Sequence, residues 1–329
     1  MNSPFPKSSS ADGEGHIVVR VLPQGISGLE TFSYQYPLKL ITPMRPSETK
    51  SALVFLLSYG GGLVGGDKVN LVIDVKAGAR LSLATQGHTK IFKSPAPNVV
   101  TRQAMRANLA PGAALCLLPD PVQPFEASNY EQLQTFRLAR NASLCLLDWV
   151  TQGRSARGEN WSFVKWVGRN EVWSVADETA VSDRLLVRDA VVLDSKRVHP
   201  QLPSLRDSMH GVGVLGTLVL RGPLMKTLGE FFLAEFAALP RLGARDWRSD
   251  DAKKEAEALL PPREKWRAGR LQMETESKLL WSAANVRGCV VVKFGAPAVE
   301  AGRLWIGSML AEEGSISQHF GNQALMCVK

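Results

Sequence analysis

Glycine makes up five of the ten residues at positions 58–67, and an apolar run at 53–57 leads into them. Three of these glycines, Gly60, Gly62 and Gly65, have the GxGxxG spacing of loops that cradle the phosphates of a dinucleotide. Such a loop binds phosphate because a helix begins directly behind it and points its free amides at the ligand. The residues after position 67 therefore decide between a nucleotide site and a structural turn.

The sequence after the glycines predicts a strand. Residues 68–71 alternate polar and apolar side chains, and the alternation resumes at Asp74 and Val75, which is the period of a half-buried strand. Between Asp74 and Asp120 there is no Asp or Glu to act as the acidic ribose ligand of a dinucleotide site. We expect a structural turn that needs positive φ and close approach of a neighbouring chain segment. The alternatives are a plain glycine hairpin and a nucleotide-binding enzyme built on residues 58–67. The residues assigned to that turn are Gly60, Gly61, Gly62, Gly65, Gly66 and Asp67.

Other catalytic and metal-binding motifs are missing from the sequence. It contains no GxxxxGK[ST] loop, no GxSxG elbow and no HExxH helix. The five histidines are scattered and the four cysteines form no CxxC pair, so no four-ligand metal site can be built locally. Widely spaced cysteines in apolar runs predict buried thiols and an intracellular protein. His88, beside Gln86 and Lys90, is the histidine most worth testing for a function.

A polar loop at residues 148–161 carries two arginines and a glutamate between glycines. The guanidinium group offers a fixed fork of donors that suits carboxylates. Arg154 and Arg157 could therefore bind Glu159 within the chain or an acidic group on a partner, and the sequence leaves both interpretations open.

Three later segments resemble one another and predict the elements that position these residues. They cover residues 79–85, 113–119 and 142–148, and their leading leucines, Leu81, Leu115 and Leu144, lie 34 and then 29 residues apart. Each unit is too thin to bury its own face, so self-similarity on this scale predicts stacked supersecondary units. We expect a β-solenoid-like stack; coincidental likeness between strands of an ordinary sandwich is the alternative.

Each of the three segments ends in polar or turn residues. If the strands stack in register, Gln86, Asp120 and Asp148 fall along one edge, separated by about 4.8 Å per strand layer or small multiples of it. Such a line could guide a hydrated divalent cation, because a passage needs weak oxygen ligands that release the ion readily. The alternative is that Asp120 starts a turn and Asp148 caps backbone amides.

The fold class predicted is mainly β with a few C-terminal α-helices. Strand patterns dominate residues 17–220, and helical periodicity appears within 221–329. The predicted strands cover 17–22, 31–40, 52–57, 184–194 and 285–294, a hairpin covers 161–175, and helices cover 224–239 and 299–312. The composition of residues 1–16 predicts a disordered tail. Residues from about 244 to 272 predict a charged, exposed insertion around a short helix at 251–260.

Composition and charge limit the classes of partner. No apolar run approaches the ~20 residues of a membrane span, and the first residues lack a signal-peptide pattern, so we expect a cytoplasmic protein. The formal net charge is +8. Residues 76–106 hold six Lys or Arg and no carboxylate, but Phe92 is their only aromatic residue. An acidic protein partner is therefore favoured over nucleic acid, with a merely solvated basic face as the alternative.

Four motifs in order resemble the UreD/UreH family of urease accessory proteins, most closely its fungal members. They are GGGLVGGD at 60–67, TQGHTK at 85–90, LLPDPVQPF at 117–125 and GRSARGENW at 153–161. The resemblance is strong over about residues 17–195 and weaker toward the C-terminus. It implies one domain over residues 17–329, with a right-handed β-helix-like body and additional helices.

The resemblance also implies a function. Proteins of this family are non-enzymatic scaffolds, or metallochaperones, that bind urease apoprotein and an F-type accessory protein, which recruits a G-type GTPase. They help nickel in transit to reach the urease active site through an internal passage, with no tight metal site and no tightly bound cofactor. The residues that we place in such a passage are Thr85, Gln86, His88, Asp120 and Asp148, and the candidate partner loop contains Arg154, Arg157 and Glu159.

Overall fold

A computed structural model describes residues 11–43, 50–176, 182–195, 203–240 and 260–329, and its strands form two β-sheets. The first sheet contains β1 (Glu14–Val21), β2 (Ser27–Tyr34), β5 (Lys68–Val75), β8 (Thr101–Leu109), β11 (Asn129–Leu138), β13 (Lys165–Ser174) and β14 (Arg184–Asp194). Their spatial order is β14-β13-β11-β8-β5-β1-β2.

The second sheet contains the remaining strands. They are β3 (Leu38–Ile41), β4 (Ala52–Ser58), β6 (Arg80–Ala84), β7 (Thr89–Ile91), β9 (Ala114–Leu117), β10 (Val122–Pro124), β12 (Ser143–Thr151), β15 (Val214–Arg221), β16 (Leu280–Val286) and β17 (Cys289–Ala296). The main path runs β16-β17-β15-β12-β9-β6-β4-β3, and the short β7 and β10 pair beside it.

The middle of the chain alternates between the two sheets. β4, β6, β9 and β12 pair in parallel in the second sheet, while β5, β8, β11 and β13 pair in parallel in the first. Apolar side chains from both sheets, such as Ile73 and Phe136 from the first and Val54 from the second, form one buried cluster. Each strand in this part of the chain therefore packs its apolar face against the other sheet and pairs with neighbouring strands in its own sheet.

The three similar segments stack in register, as the sequence predicts. Leu81 of β6 lies opposite Leu115 of β9, which lies opposite Leu144 of β12, and all three are fully buried. A mainly β fold with C-terminal helices is also confirmed. The right-handed β-helix stays a prediction, which we take up with the function.

Helices pack on the other face of the second sheet. They are α2 (Lys226–Ala237), α3 (Pro262–Glu276), α4 (Val299–Glu313) and α5 (Ser315–Phe320). A second apolar cluster forms there, in which Trp149 and Phe294 of the sheet meet Phe232 of α2 and Trp305 of α4. The short α1 (Leu205–Ser208) instead packs through Leu205 against the cluster between the sheets. None of the helices in the described ranges is both long enough and apolar enough to cross a membrane.

Several predicted boundaries are wrong because tertiary pairing decides them. The segment 31–40 is split between β2 and β3 around Pro37, and 285–294 is split by a turn at Arg287 and Gly288. The hairpin predicted at 161–175 is the single strand β13, which has β11 on one side and β14 on the other. β1 begins at Glu14, inside the predicted tail, whose first ten residues lie outside the described part of the chain.

The charged segment before residue 272 is only partly the insertion that the sequence predicts. Residues 241–259, with most of the predicted helix at 251–260, lie outside the described ranges. Residues 262–276, however, form α3, which packs against α2 instead of standing in solvent. Glu235 of α2 is fully buried and accepts hydrogen bonds from Arg267 at 2.8 and 2.6 Å, while Arg270 lies 3.2 Å away. A hydrophilic helix is thus held by buried ion pairs that the periodicity of apolar residues could not reveal.

The glycine turn joins β4 to β5 and combines positive φ with close chain approach. Gly60 and Gly61 have φ of 68° and 75°, a conformation that other residues rarely adopt. Gly62 has an extended backbone, but a Cβ there would lie 2.8 Å from the Lys90 oxygen. Because β5 begins directly after Asp67, no helix stands behind the glycines, so the nucleotide-binding alternative is wrong.

We expect Gly62→Ala to lower the free energy of unfolding by about 1–3 kcal/mol, because the added methyl displaces the backbone at Lys90. Gly62→Val should destabilise the protein further. The matched control is Gly269→Ala in α3, where the added methyl meets no atom within 4 Å, and we expect it to be neutral or stabilising. Chemical denaturation measures both; equal unfolding midpoints for the two alanine variants would contradict the steric explanation.

Candidate functional site

A small cavity lies beside the glycine turn, between the two sheets. Its volume is about 70 Å³, enough for a few water molecules. Polar lining comes from Gln86, His88, Thr89 and Gln103, and the apolar lining includes Leu38, Leu56, Leu57, Leu63 and Val69. The predicted passage residues Gln86 and His88 therefore both border one cavity.

The environment of His88 favours its neutral form. Burial lowers the pKa of the imidazole, and the positive charge of Arg303 lowers it further. The carboxylate of Asp120 and a hydrogen bond with Gln123 oppose these effects without reversing them. A neutral imidazole at the cavity keeps a lone pair that can accept a proton or contact a cation.

A hydrogen-bonded cluster around Asp120 holds the turn that carries Gln86 and His88. Thr85 Oγ1 donates to Asp120 Oδ2 at 3.0 Å, and the Gly87 amide donates to the same oxygen at 2.9 Å. The other oxygen, Oδ1, accepts from Arg303 Nη2 at 2.8 Å. Since Arg303 belongs to α4, the Asp120 carboxylate ties the cavity turn to the C-terminal helices.

Cys327 completes this cluster as a structural thiol. It is buried, and its Sγ donates to the Thr85 carbonyl at 3.3 Å. Burial and the nearby Asp120 raise the pKa of the thiol to about 11. The thiol is therefore protonated at neutral pH and is a poor metal ligand, because the thiolate is the ligating form.

A second polar cluster, centred on Asp148, lies between the sheets. Gln132 Nε2 donates to Asp148 Oδ1 at 2.9 Å, and Asn170 Nδ2 donates to Oδ2 at 2.7 Å. Gln134 in turn donates to Asn170 Oδ1 at 3.1 Å. All four side chains are buried, so the hydrogen bonds offset the cost of removing polar groups from water.

This second cluster is connected to the cavity. Tyr130 Oη lies 3.1 Å from Gln132 Oε1 and 3.3 Å from Gln103 Oε1, and Gln103 lines the cavity. Polar side chains thus follow one another from the cavity through Gln103, Tyr130 and Gln132 to Asp148. We call these four residues and the cavity the polar route.

Asp148 is the one carboxyl group of the polar route, and its surroundings raise its pKa. Full burial raises its pKa, and the charge of Asp189 raises it further, while the two amide donors and Lys293 act in the opposite direction. Lys293 is itself paired with Asp189 at 2.5 Å and lies 3.5 Å from Thr217, the residue opposite Asp148 on β15. The carboxyl group therefore holds a proton more tightly than an exposed aspartate does.

The predicted line of passage residues is divided between these two clusters. Thr85, Gln86, His88 and Asp120 come together at the cavity turn, whereas Asp148 has a separate set of hydrogen-bond partners. The route to Asp148 passes through Gln103, Tyr130 and Gln132, and Asn170 holds its other oxygen; the sequence analysis missed all four. Their signal is in β11, where Tyr130, Gln132 and Gln134 alternate with outward-facing residues: the buried face is the polar one.

The candidate partner loop separates into an internal and an external part. Glu159 is buried and accepts a hydrogen bond from the Arg154 amide at 2.8 Å and from its guanidinium group. The Arg154 guanidinium also lies 3.9 Å from the centre of the Phe125 ring. Arg157 is exposed. Arg154 and Glu159 thus pair within the chain, whereas Arg157 takes no part in that pair.

Within the described residues, no group of three or more His, Cys, Asp or Glu side chains is arranged to hold a metal ion. The polar route and its cavity offer a carboxyl group, amides, a phenol and an imidazole, from Asp148, Gln132, Gln103, Tyr130 and His88. Such ligands bind a borderline cation weakly.

Comparison with known proteins gives a consistent family. The family model for the UreD urease accessory protein matches residues 11–327. An uncharacterized urease accessory protein ureD-like from Schizosaccharomyces pombe is 30% identical over 94% of this chain and 97% of its own length. Urease accessory protein 4 of Cryptococcus neoformans is 30% identical over 85% of this chain and 84% of its own. The urease accessory protein UreD of Sorangium cellulosum is 40% identical over 68% of this chain and 65% of its own.

The raised pKa of Asp148 predicts a pH-dependent stability. The unfolded chain releases this proton near pH ~4, whereas the folded chain keeps it to higher pH, so the free energy of unfolding falls as pH rises through that interval. Asp148→Asn removes the titration and conserves the shape. We expect the melting temperature of the variant to rise relative to wild type as the pH increases above about 4.

Thermal unfolding at a series of pH values tests this expectation, with Asp148→Ala as the comparison. The alanine leaves the Gln132 and Asn170 donors without their acceptor and should cost about 2–4 kcal/mol at every pH. A difference in melting temperature between wild type and Asp148→Asn that is constant with pH would contradict a raised pKa.

Proposed function

Because the chain belongs to the UreD family of urease accessory proteins, we propose that it serves urease maturation as a non-catalytic scaffold for nickel insertion. In this proposal it acts in the cytoplasm and binds urease apoprotein and an F-type accessory protein, through which a G-type GTPase joins the complex. Nickel is the cargo and not a resident cofactor. The polar route is the observation that carries the proposal.

Support for a cargo route comes from the chemistry of its residues. A sandwich core is most stable when it is apolar, yet this one contains Gln132, Asn170 and a buried Asp148 in a connected network. Neutral oxygen and nitrogen groups of this kind release a divalent cation as readily as they bind it. Asp148 is the one carboxyl group of the route, and a cation near it would favour its ionised form. The route therefore suits transit better than storage.

Thr85 and Asp120 have a different part in this proposal from the one that the sequence suggests. Both oxygens of Asp120 are engaged by the turn and by Arg303. Asp120 therefore positions Gln86 and His88 at the cavity and does not itself contact the cargo.

The alternation of strands between the two sheets supports a helical winding of the chain. We propose that β5 to β13 form a two-sheet β-helix, since successive parallel strands fall in alternate sheets. A right-handed crossover between parallel strands is the general rule for such connections. The winding would place the polar route along the axis of the coil.

Nickel loading of urease tests the route. Asp148→Asn removes the buried charge, and the matched control Asp74→Asn removes a carboxylate on β5 that pairs with His16 at 2.9 Å, away from the route. We expect both variants to assemble with urease and the F-type protein, and only Asp148→Asn to deliver less nickel at limiting nickel concentration. Metal analysis of the purified urease measures this, and full loading by Asp148→Asn would exclude the proposed route.

Arg157 gives a separate test of partner binding. Arg157→Glu reverses an exposed charge without touching the internal Arg154–Glu159 pair, so we expect a folded protein that captures partners about tenfold less well. The control is Arg20→Glu, an exposed arginine on β1. Unchanged capture of both urease and the F-type protein by Arg157→Glu would show that this loop has no partner role.

A further inference from the structure

An exposed aromatic patch borders the glycine turn, outside the polar route. Tyr36 is 59% exposed, Tyr59 41% and Val64 51%. The ring centres of Tyr36 and Tyr59 are 5.8 Å apart, and Lys39 Nζ lies 5.5 Å from the centre of the Tyr59 ring. The two tyrosine rings are thus held at the surface in contact with each other.

Two more lysines border the same turn. The Leu63 amide donates to the Lys90 oxygen at 2.8 Å, which places the start of β7 directly against the glycines. A Cβ at Gly65 would lie 3.2 Å from the Lys93 oxygen. The side chains of Lys90 and Lys93 are both exposed. We define the turn patch as Tyr36, Lys39, Tyr59, Val64, Lys90 and Lys93.

The three lysines of the turn patch outnumber the carboxylate of the turn, Asp67, which accepts a hydrogen bond from the Val64 amide at 2.8 Å. In the described ranges, no carboxylate forms an ion pair with Lys39, Lys90 or Lys93. On the outer face of the first sheet, Arg102 is paired with Glu131 at 3.0 Å. The unpaired lysines therefore produce a concentrated positive potential at the turn.

The shape of the turn suits close approach by another chain. At Gly60 and Gly61 no atom lies within 4 Å of the position that a Cβ would take, so the backbone is open to solvent there. Tyrosines beside such an opening supply large contact area with little loss of conformational entropy, which is typical of protein interfaces. The exposed apolar surface is limited to a few side chains on turns and short strands, which suits a protein better than a bilayer, whose binding needs a continuous apolar face.

We infer that the turn patch is the docking surface for an acidic segment of a protein partner in urease assembly. The inference rests on the proposed function for the identity of the partner. The chemistry of the partner follows from the turn patch: carboxylates would meet the three lysines, and an apolar group would cover the tyrosines.

Docking at this surface would also cover the cavity of the polar route. Gly61 lines the cavity, and the lining residues Ser58 and Thr89 are chain neighbours of Tyr59 and Lys90. A partner on the turn patch would therefore exclude bulk water from the cavity and receive or deliver cargo there. The patch and the route would act at one place.

The test uses the tagged full-length chain, co-expressed with urease apoprotein and the F-type accessory protein. One variant combines Lys39→Glu, Lys90→Glu and Lys93→Glu. The control combines Lys76→Glu, Lys226→Glu and Lys265→Glu, three exposed lysines elsewhere that change the net charge equally. We expect the patch variant to capture at least one partner about tenfold less well, the control to resemble wild type, and wild-type capture to weaken from about 0.05 to 0.5 M salt.

A second variant, Tyr36→Ala with Tyr59→Ala, tests the apolar part without altering charge, and it decides the matter if the lysine variant does not fold. Normal capture of both partners by a folded patch variant overturns the inference while leaving the proposed function standing. Failure of the wild-type protein to capture either partner overturns the proposed function and the inference with it. Lysine-dependent binding to phosphatidylserine vesicles, with undiminished capture of protein by the patch variant, would assign the patch to a membrane instead.

Discussion

The parallel hydrogen-bond ladders across the two sheets are the constraint on which the other features depend. Because β6, β9 and β12 pair in register, Leu81, Leu115 and Leu144 fall in one row, and every second residue of each strand must face the other sheet. The same ladder in the first sheet directs Tyr130, Gln132 and Gln134 inward. Register thus determines both the apolar core and the polar network that interrupts it.

The sequence predicts those parts of the fold that depend on local pattern. The repeat at Leu81, Leu115 and Leu144 reveals the stacking, and the glycines at 60–66 indicate a turn because their conformation is a backbone property. The boundaries that fail depend on distant partners. Gly168 suggests a hairpin, yet β13 is one continuous strand because it pairs with a strand on either side.

The candidate site is harder to predict than the fold for a related reason. Asp120 follows β9 and Asp148 lies within β12, and their partners come from other elements: Arg303 for the first, Gln132 and Asn170 for the second. The spacing of residues along the sequence does not show which carboxylate pairs with an arginine and which is buried among amides. The alternation in β11, where Tyr130, Gln132 and Gln134 share the inward face with Phe136 and Leu138, is the one local signal that points to the network.

The helical layer closes over the second sheet through contacts between distant parts of the chain. Ser51 Oγ donates to the Phe320 carbonyl at 2.9 Å, and Arg80 donates to the His319 carbonyl at 2.8 Å. The entropy lost in closing so long a loop grows only logarithmically with its length, so these contacts cost little equilibrium stability. Folding rate responds differently, because it falls as the mean sequence separation of contacts rises. The strands can pair with near neighbours quickly, while the sheet surface under the helices stays uncovered until the last segments arrive, and during that interval the apolar face is open to aggregation.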